Sequence, residues 1–166
     1  APGGRIEVAE GEYPLWTQLY LDKPGVELAG SGASTCVLTA QRAGAAVYAA
    51  DAADGVVLRD FRVQALEGSF QSAVQLYRSE GALLEDLLLE GPATGDGVGE
   101  ALTFQDTPGA VVRRLTVHRA LRVGEIRRSD GLLLEDGVFE EGACLLEITQ
   151  SAVSYTHLTL PTKRIV

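Results

Sequence analysis

Apolar and polar positions alternate along this chain in a pattern that occurs five times. The fullest version is GVVLRDFRV from Gly55; the others are GVELAGSGA from Gly25, GALLEDLLL from Gly81, GAVVRRLTV from Gly109 and GLLLEDGVF from Gly131. Their glycines lie 30, 26, 28 and 22 residues apart. Self-similarity at such a period marks a solenoid, in which each unit buries its apolar face only against its neighbours. Counted from each glycine, offsets +1 and +3 are aliphatic throughout (Val26/Leu28, Val56/Leu58, Ala82/Leu84, Ala110/Val112, Leu132/Leu134), a period of two that predicts a strand. In the three middle copies a polar pair follows at +4 and +5, and +6 and +8 are apolar again (Phe61/Val63, Leu87/Leu89, Leu115/Val117). This predicts a short strand, a bend and a second short strand, with the Gly–Asp and Pro–Gly steps marking turns.

A third strand is predicted before each turn, at Val74 to Tyr77, Leu102 to Gln105, Val123 to Arg127 and Cys144 to Glu147. Three strands in a coil of under 30 residues leave no room for helices. The expected fold is all-β: a right-handed parallel β-helix of about five coils stacked about 4.8 Å apart, the hand following from the crossover rule. Equal offsets in successive coils then become neighbours on the outside. Offset +4 reads Arg59, Glu85, Arg113, Glu135, the alternation of charge that a stacked row favours. Offset +2 reads Glu27, Val57, Leu83, Val111, Leu133, an apolar outer stripe expected to be covered by a loop, a protein partner or a further domain, or else to stand as a partly exposed row.

Composition narrows the function classes. The 166 residues suit one domain, and no apolar run is long enough to span a bilayer. A net charge of -9 argues against nucleic acid and against an anionic membrane surface. Cys36 and Cys144 fall about four coils, on the order of 20 Å, apart, beyond the roughly 7 Å a disulfide spans, so two free thiols are expected. There is no Asn, hence no glycosylation sequon and no asparagine ladder in the bends.

The opening coil carries a resemblance. Its order, a strand, an acidic/Ala-Gly-x-Tyr-Pro step, an apolar strand and then Lys-Pro-Gly-Val-x-Leu-x-Gly-x-Gly, resembles the first coils of right-handed parallel β-helix proteins of the pectin-lyase-like superfamily, over roughly residues 3 to 150. That superfamily includes polysaccharide lyases, glycoside hydrolases, pectin esterases, epimerases, phage tailspikes and adhesins, so the resemblance implies a fold more than an activity. It implies a secreted or periplasmic, carbohydrate-active or carbohydrate-binding protein, and, if an enzyme, a polysaccharide lyase or a glycoside hydrolase. The rival expectation is a non-catalytic structural, adhesive or scaffold solenoid. The paired-aspartate, Gly-His-Gly and Arg-Ile-Lys motifs of polygalacturonases do not occur, nor does the calcium-binding aspartate cluster of pectate lyases.

The last residues read differently. SYTHLTLPT from Ser154 resembles the translation of a transposon-type sequencing adapter, and Val153 fits the bases that precede it. The expected division is therefore a β-helix domain at 1–152, cut at both ends, and a non-native tail at 153–166, disordered or opportunistically packed. Without the tail the charge is 12 basic minus 23 acidic residues, or -11.

The resemblance implies that the outward face of the third strands lines a substrate cleft. With Val74/Leu76, Leu102/Phe104 and Ile126 inward, that face presents Gln75, Tyr77, Thr103, Gln105, Glu125 and Arg127, with Asp51 in the preceding coil, a surface suited to a polysaccharide or oligosaccharide. The candidate catalytic residues are Glu125, Asp106 and Arg127, and the candidate substrate-binding residues Asp51, Gln75, Tyr77, Thr103 and Gln105. Glycoside hydrolysis uses two carboxylates about 5 to 9.5 Å apart, which adjacent coils supply; a lyase needs a base, often beside a cation. His118 is expected between Glu90 and Glu140 at a bend, a histidine held by carboxylates. No cofactor is expected; Asp96 and Glu100, on a glycine-rich loop, are expected as solvated acids, with calcium held through their oxygens as the alternative.

Overall fold

The repeat folds as a solenoid because each coil leaves a strand edge on which the next can pair. A computed structural model describes residues 3–41, 44–51, 53–65, 72–91, 99–120, 122–141 and 146–160. The first coils hold β1 (Arg5–Val8), β2 (Gly11–Leu15) and β3 (Leu19–Leu21), then β4 (Glu27–Gly30), β5 (Cys36–Ala40) and β6 (Ala45–Ala50). Next come β7 (Val57–Arg59), β8 (Arg62–Ala65) and β9 (Ser72–Tyr77), then β10 (Leu83–Glu85), β11 (Leu88–Glu90) and β12 (Glu100–Gln105). The last are β13 (Val111–Arg113), β14 (Thr116–His118) and β15 (Arg122–Arg127), then β16 (Leu132–Glu135), β17 (Val138–Glu140), β18 (Leu146–Thr149) and β19 (Val153–Thr156). They form three parallel sheets: β1-β4-β7-β10-β13-β16-β19, β2-β5-β8-β11-β14-β17 and β3-β6-β9-β12-β15-β18. This is the all-β parallel β-helix expected, and no described residue is helical.

The inward offsets build the core. Val56, Leu58, Phe61, Val63, Ala82, Leu84, Ala110 and Val112 are fully buried, stacked coil on coil with Leu76 and Phe104 from the third sheet. Offset +5 makes the corner between the first and second sheets: Asp60, Asp86, Arg114 and Asp136 all have φ between 48° and 62°. A second corner, after the third sheet, does the same with Asp51, Arg78, Asp106, Arg128 and Gln150. Left-handed backbone costs a non-glycine residue roughly 1–2 kcal/mol. The cost is offset because each corner N–H donates to the next coil, Arg78 to the Gln105 carbonyl at 3.0 Å and Arg114 to that of Glu135 at 3.0 Å. Gly30 takes the corner place in the second coil, where an added Cβ would lie 2.2 Å from the Asp60 carbonyl oxygen.

Where other β-helices stack asparagines, this chain stacks hydroxyls. Two residues before the repeat glycines, Ser79, Thr107 and Ser129 are fully buried. Ser129 Oγ accepts the Thr107 N–H at 3.1 Å, and Ser151 Oγ accepts the Ser129 N–H at 2.9 Å. Cys36 is a free, buried thiol whose pKa burial pushes up; Cys144 lies outside the described residues.

Two expectations shift. The last third-sheet strand reaches Thr149, past the expected end at Glu147, because β15 pairs Ile126 with Ile148 and Arg127 with Thr149; Cys144, its expected start, lies outside the described residues. Of the +4 row only Arg113 and Glu135 pair directly, at 2.9 Å; Arg59 takes Glu27 and Asp60, and Glu85 takes Arg114. The corner residues project beside the row and compete for its partners. Residues 153–156, expected to be disordered or opportunistically packed, extend the first sheet, Leu132 pairing with Val153 and Leu134 with Tyr155. An open edge accepts any extended backbone whatever its side chains, and Tyr155 stays 63% exposed.

Removing one hydroxyl tests the buried row. Ser129→Ala leaves the buried Thr107 N–H without its acceptor and is expected to cost about 1–3 kcal/mol in urea denaturation, whereas the exposed change Lys23→Ala is expected to leave the midpoint unmoved.

Candidate functional site

The third sheet carries the predicted residues on one face, in two rows fixed by its register. One row runs Tyr20, Tyr48, Gln75, Thr103, Glu125, Glu147, and the next Tyr77, Gln105, Arg127, Thr149. Val47, Val74, Leu76 and Phe104 alternate with them and are buried, so the period of two holds one set in the core and the other in solvent. Asp51 and Asp106 stand one residue beyond the strands, in the left-handed corner, and so edge the face instead of lying on it.

The two ends of the face differ chemically. At the first coils the Tyr20 and Tyr48 rings lie 5.6 Å apart, tilted by 35°, and the Arg78 guanidinium sits 4.8 Å over the Tyr77 ring. Burial, then the charge of Asp51, raises the Tyr48 hydroxyl above the usual tyrosine pKa. At the later coils Glu125 forms an ion pair with Arg127, and Glu125 and Glu147 are direct register partners in neighbouring coils. Arg122 lies 3.4 Å from Glu100 and 4.0 Å from Glu147, bridging them across Glu125. Thr103 Oγ1 lies 3.0 Å from Glu100 Oε2 and 3.1 Å from the buried Ser72 hydroxyl.

The corner row is a ladder of opposite charges. Arg128 holds Asp106 through two hydrogen bonds of 2.6 and 2.8 Å, and Arg78 lies 3.7 Å from Asp51. The hydrogen-bonded guanidinium keeps the Asp106 carboxyl below the usual carboxylate range. That charge state suits a base or a hydrogen-bond acceptor, not a proton donor.

Other candidates fall elsewhere. His118 stacks between Glu90 and Glu140 in the second sheet, with Nδ1 3.7 Å from Glu90 and Nε2 3.4 Å from Glu141, as a histidine among carboxylates. Glu100, expected on a loop as a solvated acid or a calcium ligand, is the first residue of β12 and is engaged by Arg122. Asp96 lies outside the described residues, among which no group of three or more His, Cys, Asp or Glu side chains is arranged to hold a metal. A groove of about 450 Å³ runs along the other corner, lined by Asp60, Arg62, Asp86, Leu88 and Arg114, away from the third sheet.

Sequence reasoning missed Tyr20, Tyr48 and Glu147. Gln75, Thr103 and Glu125 stand six residues before their repeat glycines, but Tyr48 stands seven before Gly55 and Tyr20 five before Gly25. Glu147 has no repeat glycine after it. A count allowing one residue of slack in the turn finds both tyrosines.

No protein-family model matches the chain, and no curated protein matches it. Among solved structures, the chain is similar to the catalytic domain of a GH87 alpha-1,3-glucanase, in an Asp-to-Ala variant in complex with nigerose, at 10% identity and a TM-score of 0.51, over 92% of this chain and 36% of that one. A second variant of that catalytic domain, in complex with tetrasaccharides, gives 11% identity and a TM-score of 0.46, over 97% of this chain and 37% of that one. The chain thus spans about a third of the structures it matches, and the likeness is one of fold, a parallel β-helix.

Because the folded-state pKa of Asp106 is depressed, its pairing with Arg128 stabilises the fold above the usual carboxylate pKa and loses that contribution as pH falls through the folded value. Arg128→Gln is expected to return the Asp106 titration, followed by NMR, to the usual carboxylate range. An unmoved titration would show that Gln105 and Arg78, not Arg128, set it.

Proposed function

We propose that the chain binds a neutral oligosaccharide along the outward face of the third sheet, tyrosines at one end and carboxylates at the other. The observation that carries this is the row Tyr20–Tyr48–Gln75–Thr103–Glu125–Glu147 beside Tyr77–Gln105–Arg127. Aromatic rings offer apolar faces to sugar C–H groups, while amides, hydroxyls and ionised groups fix sugar hydroxyls. The charge of the face favours a neutral ligand: Glu100, Glu125 and Glu147 against Arg122 and Arg127 leave -1, and Asp51 and Asp106 against Arg78 and Arg128 leave zero. A polyuronate needs more cation than that. That the similar solved structures hold nigerose and tetrasaccharides supports the ligand class.

Glu125 and Glu147 extend the reading to glycoside hydrolysis. They are register partners in adjacent coils, whose backbones stack about 4.8 Å apart, a spacing from which two carboxyls can reach the roughly 5–5.5 Å separation of retaining glycosidases. The reading carries with it a secreted or periplasmic location, where polysaccharide is met.

Titration calorimetry with nigerose and longer glucans, alongside a reducing-sugar assay, tests this. Tyr48→Ala and Tyr77→Ala are each expected to weaken binding about tenfold, the scale of one buried anchor. Glu125→Gln is expected to keep binding and lower turnover by about 10²–10⁴. Affinity untouched by both tyrosine changes would sink the face, no turnover by the unaltered chain would leave a binding module, and turnover untouched by Glu125→Gln would remove Glu125 from the chemistry.

A further inference from the structure

The first sheet has an outer face that neither the saccharide face nor the core uses. Its strands β7, β10, β13 and β16 are in register, so Val57, Leu83, Val111 and Leu133 form one half-buried apolar row, closed off by Glu27 on one side and Ser154 on the other. Two residues along each strand stand Arg59, Glu85, Arg113 and Glu135, also partly exposed. Read backwards, that charge row is its own complement.

We propose that this face pairs with the same face of a second copy, the two solenoids running antiparallel about a two-fold axis parallel to the strands and midway between β10 and β13. Such an axis keeps each offset opposite itself and reverses the order of coils. Arg59 of one copy then faces Glu135 of the other and Glu85 faces Arg113, so all four charges meet opposites. Val57 faces Leu133 and Leu83 faces Val111, giving an apolar centre with a charged border, as stable interfaces have. The alternative two-fold, which keeps the coils parallel, sets the charge row against the glycine offset and pairs none of these charges. The self-complementary row thus selects both the occupant and its orientation.

The charges are available for this. Arg113 and Glu135 are 2.9 Å apart within the chain, Arg59 holds Glu27 at 2.7 Å, and Glu85 holds Arg114. A guanidinium has five donors and a carboxylate about four acceptor sites, so these pairs leave capacity for a second partner. At the rim, Asp54 of one copy faces Asp130 of the other. Both are exposed and each already accepts an N–H from the following coil, at 2.8 Å, which blunts the repulsion. Four coils at about 4.8 Å and six residues at about 3.3 Å give a patch of roughly 20 Å by 20 Å. That is below the roughly 800 Å² per partner of a standard interface, so the association is weak and concentration-dependent.

Sedimentation equilibrium of the whole chain, up to about 500 µM to cover the weak end of such interfaces, should show a reversible dimer. Glu85→Arg and Arg113→Glu are each expected to raise its dissociation constant about tenfold by setting like charges face to face, and the double reversal to restore it to within about threefold. Circular dichroism establishes that each variant is folded. A role confined to one chain predicts no such rescue of association. Should a reversal unfold the chain, Val57→Cys with Leu133→Cys, in a chain also carrying Cys36→Ala and Cys144→Ser, decides: the two sites are about 14 Å apart within one chain, too far for a disulfide, so oxidation can link only two copies. Expected is a covalent dimer. A monomer at every concentration, a double reversal that does not rescue, or no covalent dimer on oxidation would each overturn the proposal.

Discussion

The backbone ladder between coils is the constraint from which the rest of this structure follows. Each coil pairs in parallel with the one before and the one after, in three sheets, without a slip of register across any pair of strands in the first sheet from β7 to β16. A register so fixed turns every offset of the repeat into a row. Rows, not individual contacts, then decide stability: apolar rows fill the core, a hydroxyl row satisfies buried N–H groups, and charged rows line the corners. Because each coil is held only by its neighbours, the energetics are local and nearly additive along the solenoid.

How much of this could be read beforehand depended on whether a row kept a constant distance from its glycine. Offsets +1 to +8 did from Gly55 onward, and there the first two sheets, their burial and the stacking of His118 between Glu90 and Glu140 were legible; in the coil from Gly25 the second strand comes five residues later, Leu38 pairing with Val63, and was not. The third sheet was legible in its middle coils, where Gln75, Thr103 and Glu125 keep their spacing. It was not at its ends, where the turn before the glycine gains or loses a residue and moves Tyr48 and Tyr20 out of step. The left-handed corners were hidden for another reason. Glycine and asparagine advertise positive φ, whereas Arg78, Arg114 and Arg128 do not; their conformation is imposed by the inter-coil bonds of their own backbone.

The corner charges also explain how an asparagine-free β-helix closes its bends. An asparagine ladder satisfies itself because its amide both donates and accepts. Aspartate only accepts and arginine only donates, so neither can stack on itself, but an alternating row of the two can. Asp51, Arg78, Asp106 and Arg128 make that row, and Asp60, Asp86 and Arg114 part of another. The arrangement works at the surface, where such charges stay hydrated. Inside the bend, where burial would leave a charge uncompensated, the chain uses Ser79, Thr107 and Ser129 instead.

This division of labour bears on the face beside it. At the strand ends Arg78 lies over the ring of Tyr77 in its own coil, and Arg128 closes on Asp106 in the coil before. The edge of the third sheet is thereby neutralised, its charges committed to one another. Outside that charge ladder lies the flat part of the sheet: Tyr48, Gln75 and Thr103, with Gln105 between Tyr77 and Arg127. A constant rise of about 4.8 Å suits a polymer whose units repeat at a comparable length, and the same rise brings Glu125 and Glu147 side by side at the charged end. The spacing that stabilises the coil therefore also sets the spacing of its chemistry, which is why the candidate site must be sought as a row and not as a pocket.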